Sequence, residues 1–236
     1  MNKKIIIQIP FNVYGHDCET DKGWIDYRLK IFTDYTLKSL MAQTNQYFTL
    51  LFRCREETIP YIKDKIGKLL PDNIIIVGKS EYGGKIKELI KDFNYLYIVR
   101  LDSDDMYINT FIDTLQNYNP KPETEVLINQ GCYSYDIYQK RLAYRFRLSP
   151  PSHALIYRVE DYMKGSQYIL KKGHCGAILL KHEIILGINW LNTIHKRNTA
   201  SYFEHKSGEV DKWEEIKGAD KIKNILKEFG LEGENK

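Results

Sequence analysis

The chain has 236 residues, 43% of them hydrophobic, which is enough to bury the core of one compact α/β domain and argues against two full domains. Lysine and arginine number 35 and aspartate and glutamate 31, an excess that suits a phosphate-bearing ligand and falls short of a nucleic-acid-binding surface. The four cysteines form no CxxC pair, which disfavours a zinc knuckle or a disulfide framework and indicates reduced cytoplasmic thiols.

The first half of the chain alternates short apolar runs with helical periodicity. Strands are predicted at 5–9, about 47–52, 74–77 and from Tyr95 onward, with helices between them, the first over about 25–42. This β-α-β-α-β-α-β order predicts a mostly parallel, doubly wound sheet. The first run is interrupted too early for a signal peptide, and no run approaches the roughly 20 apolar residues that span a bilayer. We therefore expect a cytoplasmic protein without a transmembrane segment, whose only membrane contact would be peripheral.

The most informative segment follows the fourth predicted strand, where Asp102, Asp104 and Asp105 surround Ser103. Ligands of doubly wound sheets bind beyond the carboxyl ends of the strands, and carboxylates are the ligands that hard cations prefer. On an extended chain Asp102 and Asp104 point to the same side and repel each other, so the pair favours a divalent cation. Because such a site lies outside the core, Asp104→Ala is expected to cost little stability.

Two other interpretations of this cluster are structural. Asp104 or Asp105 could be the N-cap of a helix over about 107–118, where apolar residues recur at helical spacing. A calcium-binding loop starting at Asp102 would need glycine at its sixth position and glutamate at its twelfth, where the chain has Tyr107 and Asp113. The calcium loop is therefore disfavoured, and the capping role stays open.

The second half of the chain has shorter predicted elements. Strands at 126–128, 132–138, 142–148 and 154–157 predict an antiparallel extension, and a further strand is predicted at 177–180. Over 142–148, apolar residues alternate with Ala143, Arg145 and Arg147, which predicts one apolar and one basic face. An amphipathic helix or helix pair is predicted over 211–229, and the last residues are expected to fray.

Two motifs outside the acidic cluster add a family resemblance. The run 35–40 with Gln43 and Thr44 resembles a "tl-S-l-Q" helix, and the run 195–198 with Ser201 resembles a late "H-x-x-N-x-S" element. With the acidic cluster at a strand end, they make essentially the whole chain resemble nucleotide-sugar glycosyltransferases of the GT-A fold. The resemblance is to the family 2 type and the rhamnosyltransferase-like group near it.

This resemblance implies a metal-dependent enzyme that moves a sugar from a nucleotide-diphosphate donor to a glycan or other hydroxyl acceptor. It implies Mn²⁺ or Mg²⁺ as cofactor, a hexosyltransferase type that includes rhamnosyl transfer, and no nucleic-acid partner. It also implies one GT-A domain over 1–230, with a nucleotide-binding half at 1–118, an acceptor-side half at 119–230 and a flexible tail at 231–236.

The resemblance also implies roles for individual residues. Asp104 would bind the metal that bridges the donor diphosphate, and Asp102 would contact the nucleotide ribose. His195 would be a neutral imidazole ligand of the same ion, while Asn198 would orient its loop. Further donor-binding candidates are Arg28 and Arg100, which would recognise phosphate, and Asp105.

The chain departs from this family pattern in two places. Residues 53–57 are Arg-Cys-Arg-Glu-Glu where relatives have an aspartate-rich turn that holds the base, which leaves the nucleotide open. Relatives also carry a Glu-Asp pair before the late histidine, whereas Glu183 is the only acidic residue between Cys175 and His195. If the reaction inverts the anomeric centre, a general base is needed, and the candidates are Glu183 and His174.

The sequence leaves two alternatives to this enzyme open. A non-catalytic domain that binds a sugar or nucleotide sugar and retains the GT-A fold is favoured by the missing Glu-Asp pair. A nucleotidyltransferase would be expected to have a glycine-rich phosphate loop after the first strand, and residues 10–15 do not form one.

Overall fold

The computed structural model describes residues 2–171, 173–198, 202–204 and 212–231 of the chain, with the side chain of His174 left outside that description. The strands of the described part are β1 (Lys3–Pro10), β2 (Thr49–Cys54), β3 (Ile74–Gly78), β4 (Tyr95–Arg100), β5 (Asp105–Tyr107), β6 (Val126–Ile128), β7 (Gly131–Asp136), β8 (Arg141–Phe146), β9 (His153–Arg158), β10 (His182–Ile184), β11 (Ile188–Ile194) and β12 (Lys212–Ile216). The α-helices are α1 (Lys22–Ile31), α2 (Leu37–Met41), α3 (Ile59–Ile66), α4 (Tyr82–Leu89), α5 (Phe111–Asn117), α6 (Val159–Met163) and α7 (Ala219–Glu228). None of the helices in these ranges is long and apolar enough to cross a bilayer.

The larger sheet has seven strands in the order β10-β6-β9-β4-β1-β2-β3. All of its neighbouring strands are parallel except β9, which runs antiparallel to β4 on one side and to β6 on the other. The interior strand β1 buries Ile5, Ile6 and Ile7 completely, because helices cover both faces of a parallel sheet and both faces must be apolar. The predicted α/β fold with a mostly parallel sheet is confirmed.

The smaller sheet has five strands in the order β12-β8-β7-β11-β5, with one parallel pair between β7 and β11. Of the strands predicted as an antiparallel extension, β7 and β8 are in this sheet, whereas β6 and β9 belong to the larger sheet. The edge strand β5 of the smaller sheet follows the acidic cluster directly and pairs with β11, so that Asp105 lies opposite Asn192. This pairing connects the two sheets and brings the acidic cluster next to the segment that leads into His195.

One long helical stretch covers the site side of the large sheet. It consists of α1, a π-helical segment Phe32–Thr36 and α2, in agreement with the helix predicted over 25–42. It begins at Asp21, whose carboxylate accepts a hydrogen bond from the backbone N–H of Trp24 at 2.7 Å. The Thr36 hydroxyl in the π segment donates to the carbonyl of Ser103 at 3.1 Å, which fixes the acidic loop against the helix.

The "tl-S-l-Q" motif has a structural role in this fold. The buried Gln43 side chain donates to the carbonyls of Ser39 and Ile108 at 3.0 and 2.8 Å and accepts from the N–H of Ile112 at 3.0 Å. The backbone that follows the acidic cluster is therefore held by a side chain that lies 65 and 69 residues away in the sequence.

Replacing Gln43 by alanine should leave a buried carbonyl and a buried N–H without their partner. We expect the free energy of unfolding to fall by about 2–3 kcal/mol, because unpaired buried polar groups keep their full desolvation cost. Urea denaturation measures this change, and Gln116→Ala, which removes one exposed hydrogen bond to Tyr47, is the matched control. Equal stability of the two variants would contradict the assigned role.

The capping interpretation of the acidic cluster is wrong. Helix α5 begins at Phe111 rather than near 107, and its N-cap is Thr110, which makes no side-chain cap. The residues 105–107 are a strand because their backbone groups pair with β11, an interaction across the fold that local helical spacing does not reveal. Asp104 and Asp105 therefore do not cap a helix.

Three expectations for the second half also need correction. Residues 212–216 form strand β12 against β8 rather than helix, and the predicted strand at 177–180 lies largely in a 3₁₀ helix, Gly173–Leu179. The predicted basic face of β8 is not exposed at Arg145, whose guanidinium is buried and donates to the carbonyls of Tyr202 and Phe203. Backbone carbonyls that converge on one arginine take the place of solvent there, which a short periodic pattern cannot indicate.

Candidate active site

A cavity of about 330 Å³ opens beyond the carboxyl end of β4, at the edge of the sheet where ligands of such folds bind. Its walls come from the loop after β1, from α1, from the acidic loop and from the turn after β11. The lining residues are Pro10, Phe11, Tyr14, His16, Glu19, Trp24, Arg28, Arg100, Asp102, Ser103, Asp104, Arg147, Pro151, Asn192, Arg197 and Asn198. The cavity therefore combines aromatic side chains with charged groups of both signs.

Asp104 lies at the centre of the polar contacts and is largely buried. Its Oδ2 atom accepts a hydrogen bond from Arg28 Nη1 at 2.9 Å and contacts His195 Nε2 at 2.9 Å. The other guanidinium nitrogen, Arg28 Nη2, donates to the Ser103 hydroxyl at 2.7 Å. Burial alone would raise the pKa of Asp104, but Arg28 and His195 lower that pKa to about 2, so the carboxylate is charged at neutral pH.

His195 is held on both ring nitrogens. Its Nδ1 atom lies 3.3 Å from the backbone nitrogen of Arg197 and 3.2 Å from the hydroxyl of Tyr27, whose ring contacts the imidazole edge on. The carboxamide of Asn198 donates to Asp104 Oδ2 at 3.3 Å and to the Thr193 carbonyl at 3.2 Å, and its oxygen accepts from the N–H of His195. The turn 195–198 therefore positions both the imidazole and an amide against Asp104.

Asp102 and Arg100 form a second ion pair beside the first, with 2.6 Å between Arg100 Nη2 and Asp102 Oδ1. The Asp102 side chain is 29% exposed, against 10% for Asp104, so it is the more accessible carboxylate of the two. Arg100 also donates to the hydroxyl of Tyr14 and to the carbonyl of Pro151, both at 3.4 Å. Asp102 is therefore able to accept hydrogen bonds from a ligand while its charge stays balanced.

Asp105 is a buried residue that the structure does not bring to the cavity lining. Its carboxyl accepts from the amide of Asn192 at 2.8 Å. Burial, and after it the charges of Asp104 and Asp102, raise the pKa of Asp105 well above its usual range. The three aspartates thus occupy different environments, although the sequence places them within four positions.

Glu19, which lines the opposite side of the cavity, and its partner Arg55 were not identified from the sequence. The buried carboxylate of Glu19 accepts from the N–H groups of Tyr14 and Gly15 and forms an ion pair with Arg55 at 3.0 Å. Arg55 belongs to the run that replaces the aspartate-rich turn of the resembling family. Neither residue carries a local signal, because the pair joins positions 36 apart in two loops.

The two candidate bases lie elsewhere or outside the described part. All hydrogen bonds of the Glu183 carboxylate go to the segment 118–124: to the hydroxyls of Tyr118 and Thr124 and to the N–H of Lys121. Burial raises the pKa of Glu183, but the hydrogen bonds, from Thr124 first, outweigh it and lower the pKa. The side chain of His174 lies outside the described residues.

The contacts of Glu183 predict a structural effect of Glu183→Gln. We expect a melting temperature a few degrees lower at pH 7, because an amide replaces a carboxylate that accepts three hydrogen bonds. Since folding lowers the pKa of this carboxyl, its stabilisation is present above about pH 4.5 and is lost as the pH falls further. Thermal unfolding at pH 7 and pH 3.5 measures this, and a general base would instead show about a hundredfold loss of turnover with unchanged stability.

The charges of the cavity suit an oxyanion. Four arginines line it, and the buried Nε atoms of two of them, Arg28 and Arg147, have no hydrogen-bond partner in the described structure. A buried N–H group without a hydrogen-bond partner keeps its desolvation cost. A hydrogen bond to an oxyanion oxygen would offset that cost.

The side chains around Asp104 offer only part of a site for a divalent ion. No group of three or more His, Cys, Asp or Glu side chains in the described ranges is arranged to hold a metal. The pair Asp104 Oδ2 and His195 Nε2, however, is 2.9 Å apart, close to the separation of about 3 Å that neighbouring ligands of an octahedral ion have. Arg28 Nη1 lies within 3.2 Å of both atoms, so the guanidinium neutralises the same pair that a cation would bind.

Comparisons with known proteins give structural matches only. No family model and no curated protein matches the chain. Staphylococcus aureus TarS 1-349 in complex with UDP has a TM-score of 0.47 and 14% identity, with 82% of this chain and 61% of that chain covered. Its complex with UDP-GlcNAc has a TM-score of 0.48 and 14% identity, with coverages of 86% and 62%.

A third match is 4-diphosphocytidyl-2C-methyl-D-erythritol synthase from Anaerococcus prevotii, with a TM-score of 0.38, 13% identity and coverages of 78% and 86%. The chain spans about 60% of the length of the TarS 1-349 structures. At these scores and identities, the activities of the matched proteins do not carry over to this chain. The site is therefore interpreted from its own geometry.

Proposed function

We propose that the protein transfers a sugar from a nucleotide-diphosphate donor to a hydroxyl acceptor, such as a glycan. The observation that carries this proposal is the cavity beyond the carboxyl end of β4, where Asp102 and Asp104 meet two arginines whose Nε atoms have no hydrogen-bond partner in the described structure, with the buried His195 behind Asp104. This combination offers hydrogen-bond acceptors for sugar hydroxyls and donors for phosphate oxygens in one cavity. The rhamnosyltransferase-like specificity implied by the sequence stays a prediction.

In the proposed complex, the base, the ribose and the diphosphate of the donor each contact a different part of the cavity lining. Phe11, Tyr14 and Trp24 provide aromatic surfaces for the base, and the accessible Asp102 carboxylate accepts from the ribose hydroxyls. Arg28 and Arg147 donate to the diphosphate. The cavity of about 330 Å³ is within the usual size range of small-molecule sites, about 300–1,000 Å³.

Asp104 and His195 would hold a Mn²⁺ or Mg²⁺ ion in this proposal, because their facing oxygen and nitrogen atoms have a separation that suits one ion. Two protein ligands are enough for Mg²⁺, which commonly binds through one or two carboxylates together with substrate phosphates. When bound, the ion supplies Lewis-acid stabilisation of the departing diphosphate. The site residues orient the donor, and Arg28 and Arg147 place positive charge where negative charge develops.

The alternative is a non-catalytic domain that binds a nucleotide sugar or a sugar. One observation favours it: Glu183, the only carboxylate between Cys175 and His195, is turned to the segment 118–124. In that case the cavity would bind the donor without providing a proton acceptor for transfer.

A panel of nucleotide sugars, assayed for binding and for donor hydrolysis or transfer with Mn²⁺ and with EDTA, tests the proposal. We expect at least one donor to bind by calorimetry and to turn over in the presence of the ion. Binding without turnover on any acceptor tested would favour the non-catalytic alternative. No binding of any nucleotide sugar, with or without metal, would overturn the transferase, and the absence of binding to free sugars as well would overturn the alternative.

A further inference from the structure

A second cavity, of about 480 Å³, lies between the long helical stretch, the β7–β8 hairpin and α7. It shares no lining residue with the candidate active site. The π-helical segment Phe32–Thr36 contributes Asp34 and Tyr35 to its wall, α7 contributes Ile222 and Leu226, and the hairpin contributes Tyr135 and Lys140. We call it the lysine cavity, after the four lysines that line it: Lys30, Lys38, Lys140 and Lys223.

Positive charge dominates the lysine cavity. Its single carboxylate, Asp34, is 2.8 Å from Lys30 and is offset by that residue. Within the described residues, no salt bridge includes Lys38, Lys140 or Lys223, and all three are exposed. Three ammonium groups from three separate elements therefore surround the opening with their charge uncompensated by neighbouring carboxylates.

The lining between the lysines is apolar and aromatic. Tyr135 and Leu226 are buried, and Tyr35 and Ile222 are partly buried beside them in the small-sheet core. The volume of about 480 Å³ is within the usual size range of small-molecule sites, about 300–1,000 Å³, and the lining combines charged and apolar side chains. The lining therefore suits a ligand with an apolar body and an anionic end.

The hairpin places Lys140 in an unusual conformation. Lys140 has a φ of 55°, the only positive φ of a non-glycine residue in the part of the chain that the structure describes. The preceding turn is held by Asp136, whose carboxylate accepts from the N–H groups of Tyr138 and Gln139, both at 2.9 Å. Because asparagine also accepts the left-handed conformation, Lys140→Asn removes the charge and is compatible with this turn.

We propose that the lysine cavity binds a small anionic amphiphile, a phosphate monoester carried on an apolar group. Lysine ammonium groups act as point charges for phosphate, and several of them around one opening do not require the planar geometry that arginine imposes. The apolar part of the ligand would cover Tyr35, Ile222 and Leu226 and remove their exposed surface from water. The binding does not depend on the proposed transferase activity.

Decyl phosphate, below its micelle concentration, is the probe for a calorimetric titration of the full chain. We expect saturable binding that weakens about tenfold or more in Lys140→Asn/Lys223→Gln. The matched control is Lys221→Gln/Lys227→Gln, which removes the same charge from α7 at positions that do not line the cavity. The control should bind like the wild type, and circular dichroism checks that both variants are folded.

Several results would overturn the proposal. They are no saturable binding, equal weakening in both double variants, equal binding of neutral decyl maltoside, or displacement of decyl phosphate by UDP, which would place the probe in the other cavity. Sedimentation with vesicles that contain phosphatidic acid distinguishes the source of the ligand. Co-sedimentation with these vesicles that is lost in Lys140→Asn/Lys223→Gln indicates a lipid headgroup. Binding of decyl phosphate without binding to the vesicles indicates a soluble ligand.

Discussion

Asp104→Ala is expected to abolish metal-dependent donor binding and also to lower the free energy of unfolding by about 3–5 kcal/mol. The loss of stability follows because Arg28 is buried beside Asp104, and removing one partner of a buried ion pair leaves the other charge uncompensated. This corrects the sequence-based expectation of little change, which placed the cluster outside the core. The Asp104 side chain is only 10% exposed and has polar contacts with three side chains.

The pH dependence of this effect has a definite sign. Folding lowers the pKa of Asp104 to about 2, so its contribution to stability is present above about pH 4, the unfolded value, and is lost as the pH falls through about 2. The difference in unfolding free energy between wild type and Asp104→Ala should therefore shrink below about pH 4. Denaturant titrations at pH 7, 4 and 3 measure it.

The control for Asp104→Ala is the double variant Arg28→Met/Asp104→Leu, which removes both charges. It should recover much of the lost stability while donor binding stays absent, since replacing a buried pair with apolar groups is often neutral. Unchanged Mn²⁺-dependent nucleotide affinity in Asp104→Ala, measured by calorimetry, would remove the basis for the proposed site. Unchanged stability would show that Arg28 finds another partner.

Arg28→Gln is expected to have opposite effects on metal affinity and on turnover. Without the guanidinium, Asp104 Oδ2 and His195 Nε2 lose the positive group that contacts both, so Mn²⁺ affinity in the absence of nucleotide should rise. Turnover should fall by about 10²–10³, the usual cost of losing a preorganised group that stabilises developing charge. Calorimetry with Mn²⁺ and steady-state kinetics with the donor measure the two effects separately.

Arg197→Gln is the matched control for this variant. Arg197 also lines the cavity, but its guanidinium stacks on the ring of Tyr27 at 4.8 Å, and no salt bridge with a described carboxylate includes it. We expect its Mn²⁺ affinity to match the wild type. If Arg28→Gln leaves both metal affinity and turnover unchanged, Arg28 neither competes with the ion nor acts on the donor.

The strands β1 to β4 of the large sheet were predictable because their signals are local. Each strand is a short apolar run and each helix has its own apolar spacing, so burial on two faces is visible within a few residues, as in β1 and β4. The smaller sheet was predicted less well because its strands pair across long distances: β5 and β11 were not predicted as strands, although both are largely buried. Strand β12 was mistaken for helix because Trp213 and Ile216 are three residues apart, which is a helical spacing, whereas in the strand they point to opposite faces.

The sequence by itself determined the succession of strands and helices from β1 to β4 and the position of the acidic residues at the end of β4. Only the tertiary structure decided their environments: pairing of β5 with β11 brings Asp104 within 2.9 Å of His195, 91 residues away, and the packing of α1 adds Arg28 from 76 residues away. The tertiary structure also places Asp105 and Glu183 outside the cavity lining. The physical reason is that charge state and partner choice depend on burial and on contacts between distant segments, whereas periodicity reports only which face of a local element is apolar.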